Sequence, residues 1–100
     1  MKTEVHNTIL QVSEVQELTA GTANELKEEV RLRFVPELTD IELHCEGLEF
    51  VDSSGLGTLI SMQKLAVLRG GSFRIINPSP SVMQVLELTQ LHRIFTIIGN

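Results

Sequence analysis

The chain has 100 residues, a length that fits a single domain over residues 1–100 with one hydrophobic core. Apolar residues make up 42% and charged residues 21%, which excludes a disordered chain, and no apolar run reaches the roughly 20 residues that cross a membrane. The net charge is −5, the basic residues are scattered, and Tyr and Trp are absent, so a nucleic-acid-binding protein is not expected. With Cys45 as the single cysteine, no internal disulfide can form, and we expect a cytoplasmic protein.

In the first half of the chain, strand and helix patterns alternate. "TILQV" (8–12) predicts a first strand, and "TANELKEEVRLRF" (22–34) predicts a helix that begins with a capping box of Thr22 and Glu25. "IELHCE" (41–46) alternates with period 2, which predicts a half-buried strand with Cys45 in its buried set. The residues predicted to face the core from these two elements are Ala23, Leu26, Val30, Phe34, Ile41, Leu43 and Cys45.

The second half continues the alternation. A helical pattern runs from about Ser54 to Arg69 and ends at Gly70 and Gly71, and "SFRII" (72–76) predicts a strand. Ser79 as N-cap and Pro80 as first residue predict another helix, and "RIFTII" (93–98) predicts a closing strand. Helices between strands act as crossover connections, so the fold class is α/β with a small mixed, mostly parallel sheet.

The segment "FVDSSGLG" (50–57) raises the question of function. Ser53 and Ser54 lie where a strand ends and a helix begins, where backbone amides lack partners, so either serine could be a helix cap. A phosphate on a serine at this place would meet free amides and change the surface that a partner contacts, without unfolding the helix. Gly55 and Gly57 lower the stability of the helix but permit close approach of another molecule's backbone.

The helix after the serines is apolar on two sides. We assign its inner stripe to Leu56, Leu59, Ile60, Ala66 and Val67. The remaining apolar residues point elsewhere: Leu65 is predicted to pack on a neighbouring helix, and Met62 to belong to a partner surface.

Three other kinds of site find little support. A nucleophile elbow requires G-x-S-x-G, and Val51 stands where its first glycine would be. The three histidines offer no spacing that suggests a general base, so a serine hydrolase is the weakest hypothesis. No cluster has metal-ligand spacing, and no G-K-[ST] follows the glycines, so neither a metal site nor a phosphate-binding P-loop is expected.

The segment from "LEFVDSSGLGTLIS" through "SFRIINPSPSVMQVLELTQLHRIFTI" resembles the STAS domain of bacterial anti-sigma factor antagonists. The resemblance spans about residues 16–98. It implies a small mixed sheet with helices mainly on one face. It also implies that the serine after the aspartate, Ser53, is phosphorylated, with Ser54 as the helix cap. The implied partner surface comprises Asp52, Ser54, Gly55, Leu56, Gly57, Thr58 and Met62.

The resemblance further implies a mechanism without catalysis by this chain. The unphosphorylated domain binds an anti-sigma factor that is also a serine protein kinase, and this binding frees the sigma factor. The kinase phosphorylates the serine, the complex dissociates, and a PPM-type phosphatase restores the serine. No cofactor is expected on this chain, because ATP and Mg²⁺ belong to the kinase.

The chain departs from the family pattern at three of its motif positions. Thr19 stands where many members have an aspartate, Gln16 stands where they have a glycine, and Gln90 replaces a common glycine before Leu91. The first change leaves a second hypothesis open, in which the chain is a STAS subunit of a larger assembly, such as a stressosome scaffold or a lipid-transport ABC system, without a phosphorylation switch.

Overall fold

A computed structural model describes residues 1–99. The helices are α1 (Ala20–Arg33), α2 (Ser53–Leu68) and α3 (Pro80–Leu88), with a short 3₁₀ turn at Leu91–Arg93. The strands are β1 (Lys2–His6), β2 (Ile9–Ser13), β3 (Glu17–Leu18), β4 (Asp40–His44), β5 (Phe50–Val51), β6 (Phe73–Ile76) and β7 (Thr96–Ile98).

Five of the strands form one mixed sheet in the order β1-β2-β4-β6-β7. β1 and β2 pair antiparallel as a hairpin, whose turn contains Asn7 at φ 56°, a left-handed conformation that asparagine tolerates. The other neighbours pair parallel, and α1, α2 and α3 are their crossover connections. The prediction of a mostly parallel α/β sheet is confirmed.

The helices cover one face of this sheet. Alternate strand residues on that face are fully buried: Leu10, Val12, Ile41, Leu43, Phe73 and Ile75. The opposite face is polar, and there Arg74 Nη1 donates to Asp40 Oδ2 (2.7 Å) and Arg74 Nε donates to Glu42 Oε2 (3.0 Å). The buried and polar faces follow from period-2 alternation, as predicted for residues 41–46.

A second, two-stranded sheet positions the N-termini of α1 and α2. β3 and β5 pair parallel, with Glu17 opposite Phe50 and Leu18 opposite Val51. The residue that directly follows each strand is the N-cap of a helix: Thr19 caps α1, and Asp52 caps α2. Because the two strands are in register, the two helices begin side by side.

Most predicted elements are present, but some boundaries were wrong. α1 begins at Ala20, not at Thr22, because the chain leaves β3 at Leu18 and turns into the helix at once. Thr22 is the third helical residue, and its Oγ1 accepts a hydrogen bond from the amide of Thr19 (2.9 Å). The predicted Thr22–Glu25 capping box is therefore wrong, whereas the predicted cap of α3, Ser79 Oγ to the amide of Val82 (3.2 Å), is confirmed.

The predicted core residues of α1 and of the 41–46 strand are all buried. Burial also raises the pKa of the Cys45 thiol to about 12, so this cysteine is a core residue and not a reactive thiolate.

Candidate functional site

The two serines of "FVDSSGLG" are the first two residues of α2. Both are exposed, and among residues 1–99 neither hydroxyl has a hydrogen-bond partner. Their backbone amides also have no partner within the same residues, as the geometry of a helix start requires. The hydroxyls are thus accessible for modification and lie at the positive end of the α2 dipole.

The cap of α2 is Asp52, not a serine. Asp52 Oδ1 accepts a hydrogen bond from the amide of Gly55 (3.0 Å), three residues on, as an N-cap side chain does. The prediction that Ser54 caps the helix is wrong, because the helix begins one residue earlier than its pattern indicated. Both serines are therefore free of a capping role.

Asp52 also reaches the start of α1. Its second carboxylate oxygen, Oδ2, accepts from the amide of Ala20 (3.1 Å), the first residue of that helix. Thr19, the N-cap of α1, has a neutral side chain, so the carboxylate of Asp52 serves both helix starts. One charged side chain thereby fixes the position of the serines relative to α1.

The two glycines after the serines have different roles. A β-carbon at Gly55 would collide with the carbonyl oxygen of Leu18 in β3, so this glycine permits close approach of the chain's own backbone. Gly57 is exposed, and a β-carbon there would meet nothing within 4 Å. Close approach by another molecule therefore stays a prediction for Gly57 and no longer applies to Gly55.

The predicted partner surface is only partly at the surface. Ser54 and Gly57 are exposed, and Asp52 and Leu56 are partly buried. Gly55, Thr58 (2% exposed) and Met62 (1% exposed) belong to the interior. Met62 was assigned to a partner surface because α2 is apolar on several sides, but α1 covers that side of the helix.

Because α2 is apolar on several sides, the prediction of its core-facing residues was also only partly correct. Leu59 and Ala66 are buried as predicted, whereas Val67 is 55% exposed. Leu65, expected against a neighbouring helix, lines a cleft shared with α1 and stays 38% exposed.

A cleft of about 410 Å³ lies beside the serines, between the first halves of α1 and α2. α2 lines it with Ser54, Gly57 and Thr58. α1 lines it with Ala20, Ala23, Asn24 and Lys27, none of which the sequence analysis assigned to a site. Their spacing of three to four residues places them on one helical face, which is the signal that could have indicated them.

The geometry gives no support to a hydrolase or a metal site. The free hydroxyls of both serines mean that no described side chain is placed to act as their base. Among residues 1–99, no group of three or more His, Cys, Asp or Glu side chains could hold a metal ion. Over the same residues, no helix has the length and apolar character needed to cross a membrane.

A family model of the STAS domain matches residues 1–100. The chain belongs to the STAS domain family. The anti-sigma F factor antagonist of Paenibacillus polymyxa is 35% identical to this STAS domain over 60 residues, which are 60% of this chain and 51% of that relative. The match thus spans about half the length of the curated relative.

Solved structures share the fold. The anti-sigma factor antagonist SpoIIAA in its unphosphorylated form superimposes with a TM-score of 0.82 at 22% identity, over 99% of this chain and 88% of that one. The Bacillus cell fate determinant SpoIIAA in its phosphorylated form gives a TM-score of 0.75 at 22% identity, over 99% and 91%. The sequence-based prediction of a STAS fold is confirmed.

Proposed function

We propose that this STAS domain is an anti-sigma factor antagonist, a binding module without catalytic activity of its own. Its unphosphorylated form binds an anti-sigma factor that is also a serine protein kinase, and binding releases the sigma factor. The kinase uses its own ATP and Mg²⁺ to phosphorylate Ser53, the complex dissociates, and a PPM-type phosphatase removes the phosphate.

The observation that carries this proposal is the free, exposed hydroxyl of Ser53 at the start of α2. Asp52 performs the capping, so modification of Ser53 removes no hydrogen bond on which the fold depends. A phosphate adds about −1.5 to −2 charges and three acceptor oxygens, and the unpartnered amides of the first turn can receive them. The domain would keep its fold while its surface gains negative charge at Ser53.

The relatives support the same function. The Paenibacillus polymyxa protein is named an anti-sigma F factor antagonist, and SpoIIAA, with the same fold, is described in a phosphorylated and an unphosphorylated form. Thr19 leaves the start of α1 without an acidic side chain of its own, and Asp52 supplies a carboxylate there by accepting from the amide of Ala20.

The experiment is a binding assay with the anti-sigma factors of the cells that make this protein. Each is purified and titrated by isothermal calorimetry with three forms: the wild type, Ser53→Ala, and the protein with phosphoserine incorporated at position 53. We expect one anti-sigma factor to bind the first two forms and to lose affinity for the third by about tenfold or more.

Equal affinity for all three forms would contradict the switch and favour a constitutive STAS subunit of a larger assembly. Ser54→Ala is the matched control, since Ser54 is also exposed but is not the predicted phosphate acceptor.

A further inference from the structure

The main sheet has an open edge at β1. Among the described residues 1–99, β1 (Lys2–His6) has a single neighbour in the sheet, the antiparallel β2. β7 (Thr96–Ile98), at the opposite edge, is shorter and offers three residues. An open strand edge presents backbone amides and carbonyls that can pair with another strand.

The hairpin turn decides which residues of β1 direct their backbone groups to that edge. A two-residue loop, 7–8, joins His6 to Ile9, and the pair of residues that closes such a loop is hydrogen-bonded. Hydrogen-bonded and non-hydrogen-bonded pairs alternate along an antiparallel ladder, so the even-numbered residues of β1 bond to β2. The amides and carbonyls of Thr3 and Val5 therefore point outwards.

The side chains of β1 differ between the two faces of the sheet. Val5 lies opposite the core residue Leu10 and hence on the helix-covered face, yet it is 56% exposed. Met1, which is 41% exposed, is on the same face, since it lines a cleft with residues of α1. On the polar face the exposed Lys2 and Glu4 form an ion pair at 3.0 Å. The edge thus offers apolar side chains on one face and charges of opposite sign on the other.

A second copy of the chain matches this edge on both faces when Thr3 lies opposite the partner's Thr3 in an antiparallel pair. Lys2 then lies opposite the partner's Glu4, and Glu4 opposite the partner's Lys2. Met1 and Val5 meet in the same way on the helix-covered face. The Thr3 pair is also one whose backbone groups point outwards on both strands, as a hydrogen-bonded pair requires.

Neighbouring registers do not fit. Centring the pair on Lys2 or on Glu4 places two identical charges directly opposite each other, which destabilises a sheet. Slipping one strand by a single residue would place the apolar faces of the two copies on opposite sides of the joined sheet. The pattern of charge and exposure on β1 therefore favours one register with one occupant.

We propose that the chain forms a homodimer in which two β1 strands pair antiparallel around Thr3 and join the two five-stranded sheets into one continuous sheet. The contact is isologous, because the same residues of both copies meet across a two-fold axis. Each copy contributes about five residues, so the interface is small and we expect a dissociation constant in the micromolar range. The pairing uses no residue of α2 and does not depend on the proposed function.

A charge exchange tests the pairing by sedimentation analysis over a range of protein concentrations. Lys2→Glu places glutamates opposite each other, and Glu4→Lys places lysines opposite each other, so each variant alone should dimerise about tenfold more weakly than the wild type. In an equimolar mixture, opposite charges face each other again, and a dimer of one copy of each should form with the wild-type affinity. Lys64→Glu, an exposed charge reversal on α2, is the control and should stay within about twofold. Circular dichroism establishes that each variant is folded.

Cross-linking tests the register. Thr3→Cys places two thiols at a hydrogen-bonded pair, with Cα atoms about 5.5 Å apart, which is within the range of a disulfide. Val5→Cys is the matched control, because its two copies would lie about 14 Å apart. Cys45 is buried and does not compete. Mild oxidation should give a covalent dimer of Thr3→Cys and not of Val5→Cys.

Several results would overturn the proposal. A wild type that is monomeric at every concentration would do so, as would a dimer that neither charge reversal weakens. An equimolar mixture that associates no more tightly than its separate components, or a Thr3→Cys variant that cross-links no better than Val5→Cys, would also contradict it. These results leave the proposed function untouched, because that function is tested by phosphoserine at position 53 and binding of an anti-sigma factor.

Discussion

The amide of Ala20 donates a 3.1 Å hydrogen bond to Oδ2 of Asp52, so the residue that caps α2 also holds the first residue of α1. The other carboxylate oxygen accepts from Gly55 at 3.0 Å. The register of β3 with β5 brings the two helix starts together, and the carboxylate then fixes their spacing. The position of Ser53 relative to the start of α1 depends on this double contact.

Replacing Asp52 tests the double contact. Asp52→Ala removes both hydrogen bonds, and we expect it to lower the free energy of unfolding by about 1–2 kcal/mol, as the loss of a helix cap does. Asp52→Asn keeps one acceptor oxygen and should cost less. Urea denaturation measures both variants, and an unchanged midpoint for Asp52→Ala would show that neither contact contributes to stability.

The two glycines near the serines give a matched pair. Gly55→Ala places a β-carbon against the backbone of Leu18, so we expect a loss of about 1–3 kcal/mol in the free energy of unfolding. Gly57→Ala meets open space and should raise stability by about 0.5–1 kcal/mol, because alanine favours the helix. Thermal denaturation of the two variants compares them, and similar shifts for both would contradict the assigned roles.

The burial of Met62 leads to a third prediction. Met62→Glu should unfold the domain or strongly destabilise it, because an unpaired carboxylate would be buried at a position that is 1% exposed. Met62→Leu conserves volume and should cost less than about 1.5 kcal/mol. If the glutamate variant had a wild-type denaturation curve, Met62 would be a surface residue, as its pattern had first indicated.

A fourth prediction concerns residues with positive φ angles, one of which follows the end of α3. Gln90 has a φ of 63°, a left-handed conformation that favours glycine, and Gln90→Gly should raise stability by about 0.5–1 kcal/mol. Gly70, at φ 77°, is the converse: Gly70→Ala should lower stability by about 1 kcal/mol. Chemical denaturation checks the opposite signs, and shifts in the same direction would contradict the argument.

The polar face of the sheet makes stability depend on pH. A hydrogen bond from Thr39, together with Arg74, holds the pKa of Asp40 below its usual range. Burial would raise the pKa of Glu42, but hydrogen bonds from Gln11 and Arg74 outweigh it and leave the pKa lowered. Both carboxyl groups have a lower pKa in the folded state than in the unfolded state, where their pKa values are near 4. Their ionised forms therefore stabilise the fold above about pH 4, and this stabilisation is lost as the pH falls through the folded-state pKa values.

Arg74→Met tests this linkage. The variant should be less stable than the wild type at neutral pH, and its stability should fall less steeply between about pH 5 and pH 3. Denaturant midpoints measured across that range give the comparison. Parallel pH profiles for the two proteins would contradict a role of Arg74 in lowering these pKa values.

The spacing of apolar residues predicted correctly those helices and strands that have one apolar and one polar face. The alternation of Ile41, Leu43 and Cys45 and the periodicity of Leu26 and Val30 placed those residues in the core correctly. β1 was missed because four of its five residues are exposed, so its sequence shows no apolar alternation. β3 was missed because its two residues are fixed by pairing with a segment more than 30 positions away.

The candidate site was predicted less completely than the fold. The motif indicated Ser53 and Asp52, and their positions at the start of α2 agree with it. Pattern could not show which residues of α2 meet α1, because that helix is apolar on several sides, so Met62 and Thr58 were placed at the surface. Lys27 was missed because its neighbours on α2 are distant in sequence.

The central claim, that Ser53 is the phosphorylated residue of a binding switch, is tested most directly by peptide mass spectrometry of the protein isolated from its native cells. Wild type, Ser53→Ala and Ser54→Ala are compared under several growth conditions. We predict one phosphate mapped to Ser53, lost in Ser53→Ala and retained in Ser54→Ala. A phosphate on Ser54, or no phosphate under any condition, would contradict the claim.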